Sequence, residues 1–433
     1  LPQGNRRGKD FLHLVTKLKL GWRRSALQVS CVRLGQQSAS SPAATHRSNS
    51  MWSSHRYRLE ARDKQLSENV IQAAISQSEG LLAADPALPS ILSLNHLSAR
   101  CGIPYSELRE FVSRRSIDKN EASMPYQNFS IRKRSGGRRF IHVPNRKLMA
   151  VQRWINTHIL QDVKPHTASH AFSRKSSIKK CAQVHCGSSW LIKLDISDFF
   201  ESVSEIQVFR VFKSMGYTPL VAFELARICT VRTPTHSPRQ HFKQWLVKKA
   251  NNTIYAYNDR YLGYLPQGAP TSPLLANLVM RQCDKELSEI AAKFGMKYTR
   301  YSDDLTFSSH DSALGRDACR KLIFEAYSVL SSAGYRPNAR KSTIVPPSAR
   351  KLVLGLTIEG AEPGLTKEFK DRLRQHLYFL EKLGPVDHAF NRKFDSIWGM
   401  KAHIKGLIDF AKMIEPKYAA LCRERFEKID WPV

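Results

Sequence analysis

The chain has 433 residues, enough to bury a sizeable core in two or three domains rather than one. Its 68 lysines and arginines against 37 acidic residues leave a formal charge of +31, an excess that calls for a polyanionic partner and points to nucleic acid. No run of about 20 apolar residues appears, so no membrane-spanning helix is expected, and the eight cysteines are scattered without a regular framework, as in a reducing, cytoplasmic compartment.

Residues 1–50 are basic and then rich in Ser and Ala, which reads as a poorly ordered extension or a leader outside the biological product, with Met51 directly after it as an alternative start. Helical spacing predicts one helix over residues 59–79, ending near Gly80. Two short helices follow, over 94–101 and 104–113 around Gly102; the pair has a helix-turn-helix layout but reads as packed structure or an RNA contact rather than a duplex reader. From Tyr126 to Pro144, strand-like alternation on both sides of Ser135-Gly136-Gly137 predicts a hairpin. It carries five cations between Arg132 and Arg139, suited to the oxygens of a triphosphate. Residues 148–160 read as an amphipathic helix with Trp154 and Ile155 inward. Cys181, His185 and Cys186 lack a second paired cluster at zinc spacing and read as core thiols beside a hydrogen-bonding histidine.

An apolar strand, Trp190-Leu-Ile-Lys-Leu-Asp-Ile196, then brings Asp195, followed by Ser197, Asp198, Phe199 and Phe200. Helices are expected over 203–215 and 220–229, before a basic irregular span over 230–260 that includes Arg232, His236, Arg239, His241, Lys243, Lys248 and Lys249. In Leu265-Pro-Gln-Gly-Ala-Pro-Thr-Ser-Pro273, Gly268 permits close backbone approach, the prolines stiffen a helix entry, and Gln267 offers both donor and acceptor groups.

The stretch Tyr298-Thr-Arg-Tyr-Ser-Asp-Asp-Leu-Thr-Phe307 reads as two short strands meeting at a tight turn that bears Asp303 and Asp304. An isolated Asp-Asp pair is ordinarily a solvated turn. Between apolar strands, however, two like charges need a cation, and carboxylates at a turn tip are hard oxygen ligands of the kind Mg2+ takes. With Asp195 beside Asp303, the set could hold two metals for in-line phosphoryl transfer. A helix over 313–333 ends at Gly334; Arg336, Asn338, Arg340 and Lys341 precede an apolar strand and the turn Val353-Leu-Gly-Leu-Thr-Ile358. Beyond a candidate boundary at 360–363 the chain reads as helices over 366–383, 396–413 and 416–426, with Trp398, Ile404, Leu407, Ile408 and Phe410 supplying core.

Leu194-Asp-Ile-Ser-Asp-Phe-Phe200, Leu265-Pro-Gln-Gly-Ala-Pro-Thr-Ser-Pro273 and Tyr301-Ser-Asp-Asp304 stand in the order found in bacterial reverse transcriptases of the retron and antiphage-defence kind. From Leu94 to the C-terminus the chain resembles that family. The resemblance implies an α+β right-hand polymerase with fingers, palm and a mostly helical thumb. Its divisions would be the extension 1–50, a helical region 51–125, fingers and first palm elements 126–189, palm with a fingers insertion 190–359, and thumb 360–433. It implies RNA-directed DNA synthesis with Asp195, Asp303 and Asp304 as catalytic, metal-holding carboxylates, assisted by the Ile196 carbonyl. Two Mg2+ ions are the implied cofactors, with Mn2+ as an alternative. Phe200 matches the aromatic gate that excludes a ribose 2'-hydroxyl. Arg132, Lys133 and Arg139 match the hairpin that handles the incoming deoxynucleoside triphosphate, Gln267 with Gly268 the nucleotide and template surface, and Lys341 a basic residue beside the departing pyrophosphate. The implied partners are a structured non-coding RNA, an RNA–DNA duplex and a defence effector protein, with no membrane.

Two elements depart from the retron pattern: Cys181-Ala-Gln-Val-His185 stands where retron enzymes commonly have Asn-Ala-x-x-His, and Val353-Leu354-Gly355 where they have Val-Thr-Gly. Template-independent nucleotidyl transfer and a nucleic-acid-binding scaffold without polymerase activity are the alternative functions.

Overall fold

The computed structural model describes residues 52–114, 124–132, 136–232 and 262–432. In chain order the strands among them are β1 (Tyr126–Arg132), β2 (Arg138–Pro144), β3 (Trp190–Ser197), β4 (Val231–Arg232), β5 (Gly263–Tyr264), β6 (Lys297–Tyr301), β7 (Asp304–Ser309), β8 (Arg336–Pro337), β9 (Thr343–Val345), β10 (Leu352–Val353), β11 (Leu356–Thr357) and β12 (Gly364–Leu365). The chain divides into two compact units: Leu1–Pro165 with Asp198–Arg281, and His166–Ser197 with Gln282–Val433. Each combines helices with strands, so the fold is α+β.

In the first unit, the single helix expected over 59–79 is two helices, Ser54–Asp63 and Glu68–Ala84. Gln65 takes a φ of 56°, outside the helical region, and breaks the run there. Gly80, by contrast, does not end the second helix, because a helix already docked on Ile71, Ile75 and Leu81 tolerates one interior glycine. The helices Leu94–Cys101 and Tyr105–Ser113 form as expected. Gly102 closes the first in the left-handed conformation, and Leu97, Leu108 and Val112 are turned fully inward. The helix predicted over 148–160 begins at Arg146, capped by Asn145, and passes into a π-helical turn over Asn156–Leu160. Ile155 is buried as expected, whereas Trp154 is only half-buried and stacks on His158.

The helix Glu205–Ser214 opens on a capping box made by Ser204 and Gln207 and packs against Pro219–Cys229 and Ser272–Val279. Beneath them lies a buried charge cluster. Glu205 accepts hydrogen bonds from Arg114 Nη1 (2.6 Å), Arg227 Nε (3.3 Å) and the Gly263 backbone N–H (2.9 Å). Most of the basic span expected over 230–260 lies outside the described residues, as do residues 1–51.

The second unit is built on a sheet in the order β6-β7-β3, with β8 and β9 both pairing the far edge of β3. Paired on both edges, β3 is the central strand, and Leu191, Ile192, Leu194 and Ile196 are almost wholly buried. Cys181 and His185 lie in the core as expected: His185 Nδ1 is 2.6 Å from Ser308 Oγ and Nε2 is 2.7 Å from Thr299 Oγ1, which also lies 3.3 Å from Cys181 Sγ. Val353-Leu354-Gly355 is part of a two-residue hairpin between β10 and β11. Leu354 and Gly355 both have positive φ, the pattern that matches strand twist.

The helices Lys367–Asn391, Ile397–Ile414 and Pro416–Glu427 share one core with Leu191 of β3. The first is two helical segments joined across a non-helical break at Gly384 (φ 79°) with Pro385 after it, so its first segment ends at 383 as predicted. Ile404 and Ile408 are core, and Leu407 and Phe410 lie at its margin. Trp398 is not core: it is 57% exposed, because the buried stripe of its helix runs through Met400, Ile404, Ile408 and Ala411 and leaves it on another face. There the Lys401 ammonium lies 5.0 Å from the ring centroids of both Trp398 and Trp431. No described helix is long and apolar enough to cross a membrane.

Candidate active site

The carboxylates that the sequence singles out are brought together by strand register. In the antiparallel pairing of β3 with β7, Asp195 is directly opposite Asp304, continuing the partners Leu194–Leu305 and Ile192–Phe307. β6 and β7 are joined by a two-residue turn, Ser302-Asp303, across the opposed pair Tyr301 and Asp304. Ser302 has φ 60° and Asp303 does not share that sign. This is the φ pattern of a II′ turn, whose first central position usually takes glycine. A serine there costs about 1–3 kcal/mol and persists only where its surroundings impose it. The turn is tied to β3 by the Ile196 N–H, which donates to the Asp303 carbonyl at 3.1 Å. In a β-strand the N–H and C=O of one residue share an edge, so the Ile196 carbonyl faces the same turn.

Across β3 the chain passes from β8 to β9 through Asn338 and a short 3-10 turn, Ala339–Lys341. This crossing lies beside Asp195. The Asn338 backbone N–H donates to the Asp195 carbonyl (2.8 Å), Asn338 Nδ2 to Asp195 Oδ2 (2.9 Å), and Lys341 Nζ to Asp195 Oδ1 (2.8 Å). Lys341, which the family resemblance puts beside a departing pyrophosphate, lies here against the Asp195 carboxylate, and Asn338 has no role in that resemblance. Its only sequence signal is a turn-forming residue three positions before that lysine.

Charge balance is uneven. Asp195 is 6% exposed and already has a cation against it. Partial burial and the neighbouring carboxylates of Asp303 and Asp195 push the Asp304 carboxyl up to about 6, although its outer edge meets solvent. The hydrogen bond to Asp195 holds the Lys341 ammonium above lysine's usual value; burial, the next influence in size, opposes it, and the charges of Asp195, Asp303 and Asp304 add to the rise.

The donor chemistry fits a hard divalent ion: three carboxylates and a backbone carbonyl, with negative charge in excess and a lysine drawn onto it. Among the described residues no three His, Cys, Asp or Glu side chains stand in a ligating arrangement. Asp195 is instead turned to Asn338 and Lys341.

The other candidate residues belong to the first unit. Arg132 and Arg139 project from the hairpin into solvent in a ladder that pairs Arg132 with Arg138 and Ile131 with Arg139. Lys133 lies outside the described residues. Phe200 is half-buried on the short helix Phe199–Ser202 beside buried Phe199, ring centroids 5.5 Å apart. Gln267 and Gly268 dock the loop onto β2: the Gln267 carbonyl accepts from His142 N–H at 2.8 Å. A Cβ on Gly268, at φ +117°, would lie 3.0 Å from the His142 carbonyl oxygen and 3.1 Å from Ile141. This explains glycine there by close packing of the loop on β2. The seam is completed by His142, whose ring meets Asn128 Oδ1 (2.5 Å) and the Tyr264 hydroxyl (3.1 Å).

Residues 131–358 match the family model described as reverse transcriptase (RNA-dependent DNA polymerase). The retron Ec86 reverse transcriptase of Escherichia coli is 29% identical over 340 residues, covering 76% of this chain and 92% of that protein. The retron Mx65 reverse transcriptase of Myxococcus xanthus is 31% identical over 346 residues, covering 78% and 72%. The retron Ec73 reverse transcriptase of Escherichia coli is 29% identical over 318 residues, covering 71% and 89%.

Proposed function

Because this chain belongs to the reverse transcriptase family, related to the bacterial retron enzymes, we propose that it is an RNA-directed DNA polymerase that extends a primer on a structured non-coding RNA. The observation that carries the reading furthest is the register that opposes Asp195 to Asp304, with Asp303 at the adjoining turn. Asp195, Asp303 and Asp304, with the Ile196 carbonyl, would hold Mg2+, two ions on the family resemblance, supplying charge neutralisation at the transferred phosphorus and the departing pyrophosphate.

The protein's own part is positional and electrostatic, with no covalent nucleophile. Asn338 orients the Asp195 carboxylate through its side-chain donor and fixes the Asp195 main chain through its backbone N–H. Lys341, more than half exposed on a flexible stem, is free to exchange Asp195 for a phosphate oxygen as a point charge. Arg132 and Arg139 offer forked contacts to a triphosphate, with Lys133 assisting. Gln267 and Gly268 give a rigid surface for the nucleotide and template, and the Phe200 ring excludes a 2'-hydroxyl by contact. A retron or antiphage-defence setting, with an effector protein as further partner, extends the same reading.

The test is primer extension by the purified full chain on a defined RNA template with deoxynucleoside triphosphates and Mg2+, with the template omitted in a parallel arm. Template-dependent product supports the proposal. Equal product without template replaces it with terminal nucleotidyl transfer, and no product in either arm leaves a binding scaffold. Sequencing co-purified nucleic acid for RNA continued as DNA identifies the native template.

A further inference from the structure

Two residues behind the Ser302 turn form the most deeply buried ion pair of the second unit. Arg300, on β6, and Asp284, on the helix Arg281–Lys293, both have fully buried side chains. Arg300 Nε donates to Asp284 Oδ1 (2.8 Å) and Nη2 to Oδ2 (2.7 Å), a two-pronged contact, and the Tyr298 hydroxyl donates to Asp284 Oδ1 at 2.9 Å. The third arm of the guanidinium points elsewhere: Nη1 donates to the backbone carbonyl of Ser302 at 3.0 Å. The Arg300 main chain is fixed as well, its N–H donating to the Ala168 carbonyl (2.7 Å) and its carbonyl accepting from His170 N–H (2.9 Å).

A buried ion pair is no better for stability than well-packed apolar residues of the same volume, because desolvation offsets the attraction. Stability alone therefore does not account for it. What apolar residues lack is a planar donor, held rigid by a carboxylate on one side, aimed at the carbonyl of a residue in the left-handed region. Ser302 directly precedes Asp303, and its conformation sets the direction in which Asp303 and Asp304 leave the turn.

We propose that Arg300, braced by Asp284, is a positioning residue that holds the Ser302 peptide in its left-handed conformation and so aims the Asp303 and Asp304 carboxylates. This rests on the polymerase reading for its consequence in catalysis, but the restraint on the turn stands apart from any activity.

The discriminating variant is Arg300→Lys, which keeps a cation beside Asp284 and loses the donor to Ser302. The paired variant Asp284→Leu/Arg300→Met removes both charges together, so that neither remains buried alone. On the full chain, hydrogen exchange over 298–307 is compared with the rest of the protein, Mn2+ affinity is titrated by electron paramagnetic resonance, and single-turnover extension is measured across nucleotide concentrations up to saturation.

We expect faster exchange confined to the turn, Mn2+ affinity lower by about 10- to 100-fold, and a comparable fall in the extension rate with little change in nucleotide KM. A purely structural pair predicts a lower melting temperature with unchanged exchange at the turn and unchanged rate per folded molecule. That outcome overturns the proposal, as does the failure of both variants to fold. If the wild-type chain extends no primer, the polymerase reading fails while exchange and Mn2+ binding still decide the role of Arg300.

Discussion

The Lys341 ammonium lies 2.8 Å from Oδ1 of Asp195, one of the carboxylates proposed to hold Mg2+. Under the proposed function a metal would share the Asp195 carboxylate with Lys341, whose side chain is 56% exposed and able to move. Lys341→Ala is expected to lower the Mg2+ concentration needed for half-maximal primer extension. It should also slow the maximal rate on the order of 100-fold through loss of a charge beside the leaving phosphate. A Mg2+ titration of extension rate reads both effects; an unchanged maximal rate would remove Lys341 from the mechanism.

Burial, then the neighbouring carboxylates of Asp303 and Asp195, push the Asp304 carboxyl up to about 6, so the fold carries that charge at a disadvantage in the absence of metal. Asp303→Ala and Asp304→Ala should therefore fold at least as well as wild type in chelator, retain RNA binding and lose DNA synthesis. Melting curves and filter binding establish the first two points. Wild-type extension by a folded double variant would contradict the assignment.

Phe200 is proposed to act by steric contact alone. Phe200→Ala should raise ribonucleotide incorporation relative to deoxyribonucleotide incorporation while leaving synthesis from deoxynucleotides within a few-fold of wild type, an order-of-magnitude expectation for contact discrimination of about 1–3 kcal/mol. Competition assays with paired nucleotides measure the ratio directly, and an unmoved ratio counts against the gate.

Glu205 tests the first unit. Burial works to raise its carboxyl, but Arg114 and Arg227 outweigh that and hold it below its ordinary value of 4.5. A depressed carboxyl contributes stability that is fully present above the unfolded value and is lost as pH falls through the folded one. Glu205→Gln leaves two buried guanidinium groups without their carboxylate and should destabilise by about 3–5 kcal/mol at neutral pH. In urea unfolding, the gap between wild type and variant should narrow as the pH drops below 4.5. A gap independent of pH would show that the arginines do not depend on that charge.

The sequence by itself determined the hairpin and the turn, because these follow from local chemistry, and the order of its motifs carried the resemblance to the family. Alternation marks β1 and β2, glycines mark the turn between them, and Asp303-Asp304 stands between two apolar strands. It also anticipated Cys181 and His185 as core. It misplaced features that depend on a helix's phase or continuity: Trp398 is apolar but lies off the buried stripe, and the break at Gln65 has no composition signal.

Tertiary structure alone decided which distant side chains meet. Strand register opposes Asp195 to Asp304; the crossing from β8 to β9 brings Asn338 and Lys341 to Asp195; and Arg300, which reads in sequence as one more cation of a basic chain, is fully buried between Asp284 and Ser302. The physical reason is that a strand's pattern specifies which face is buried but not its partner, whereas a buried charge is tolerable only where the assembled fold supplies a counter-charge and acceptors.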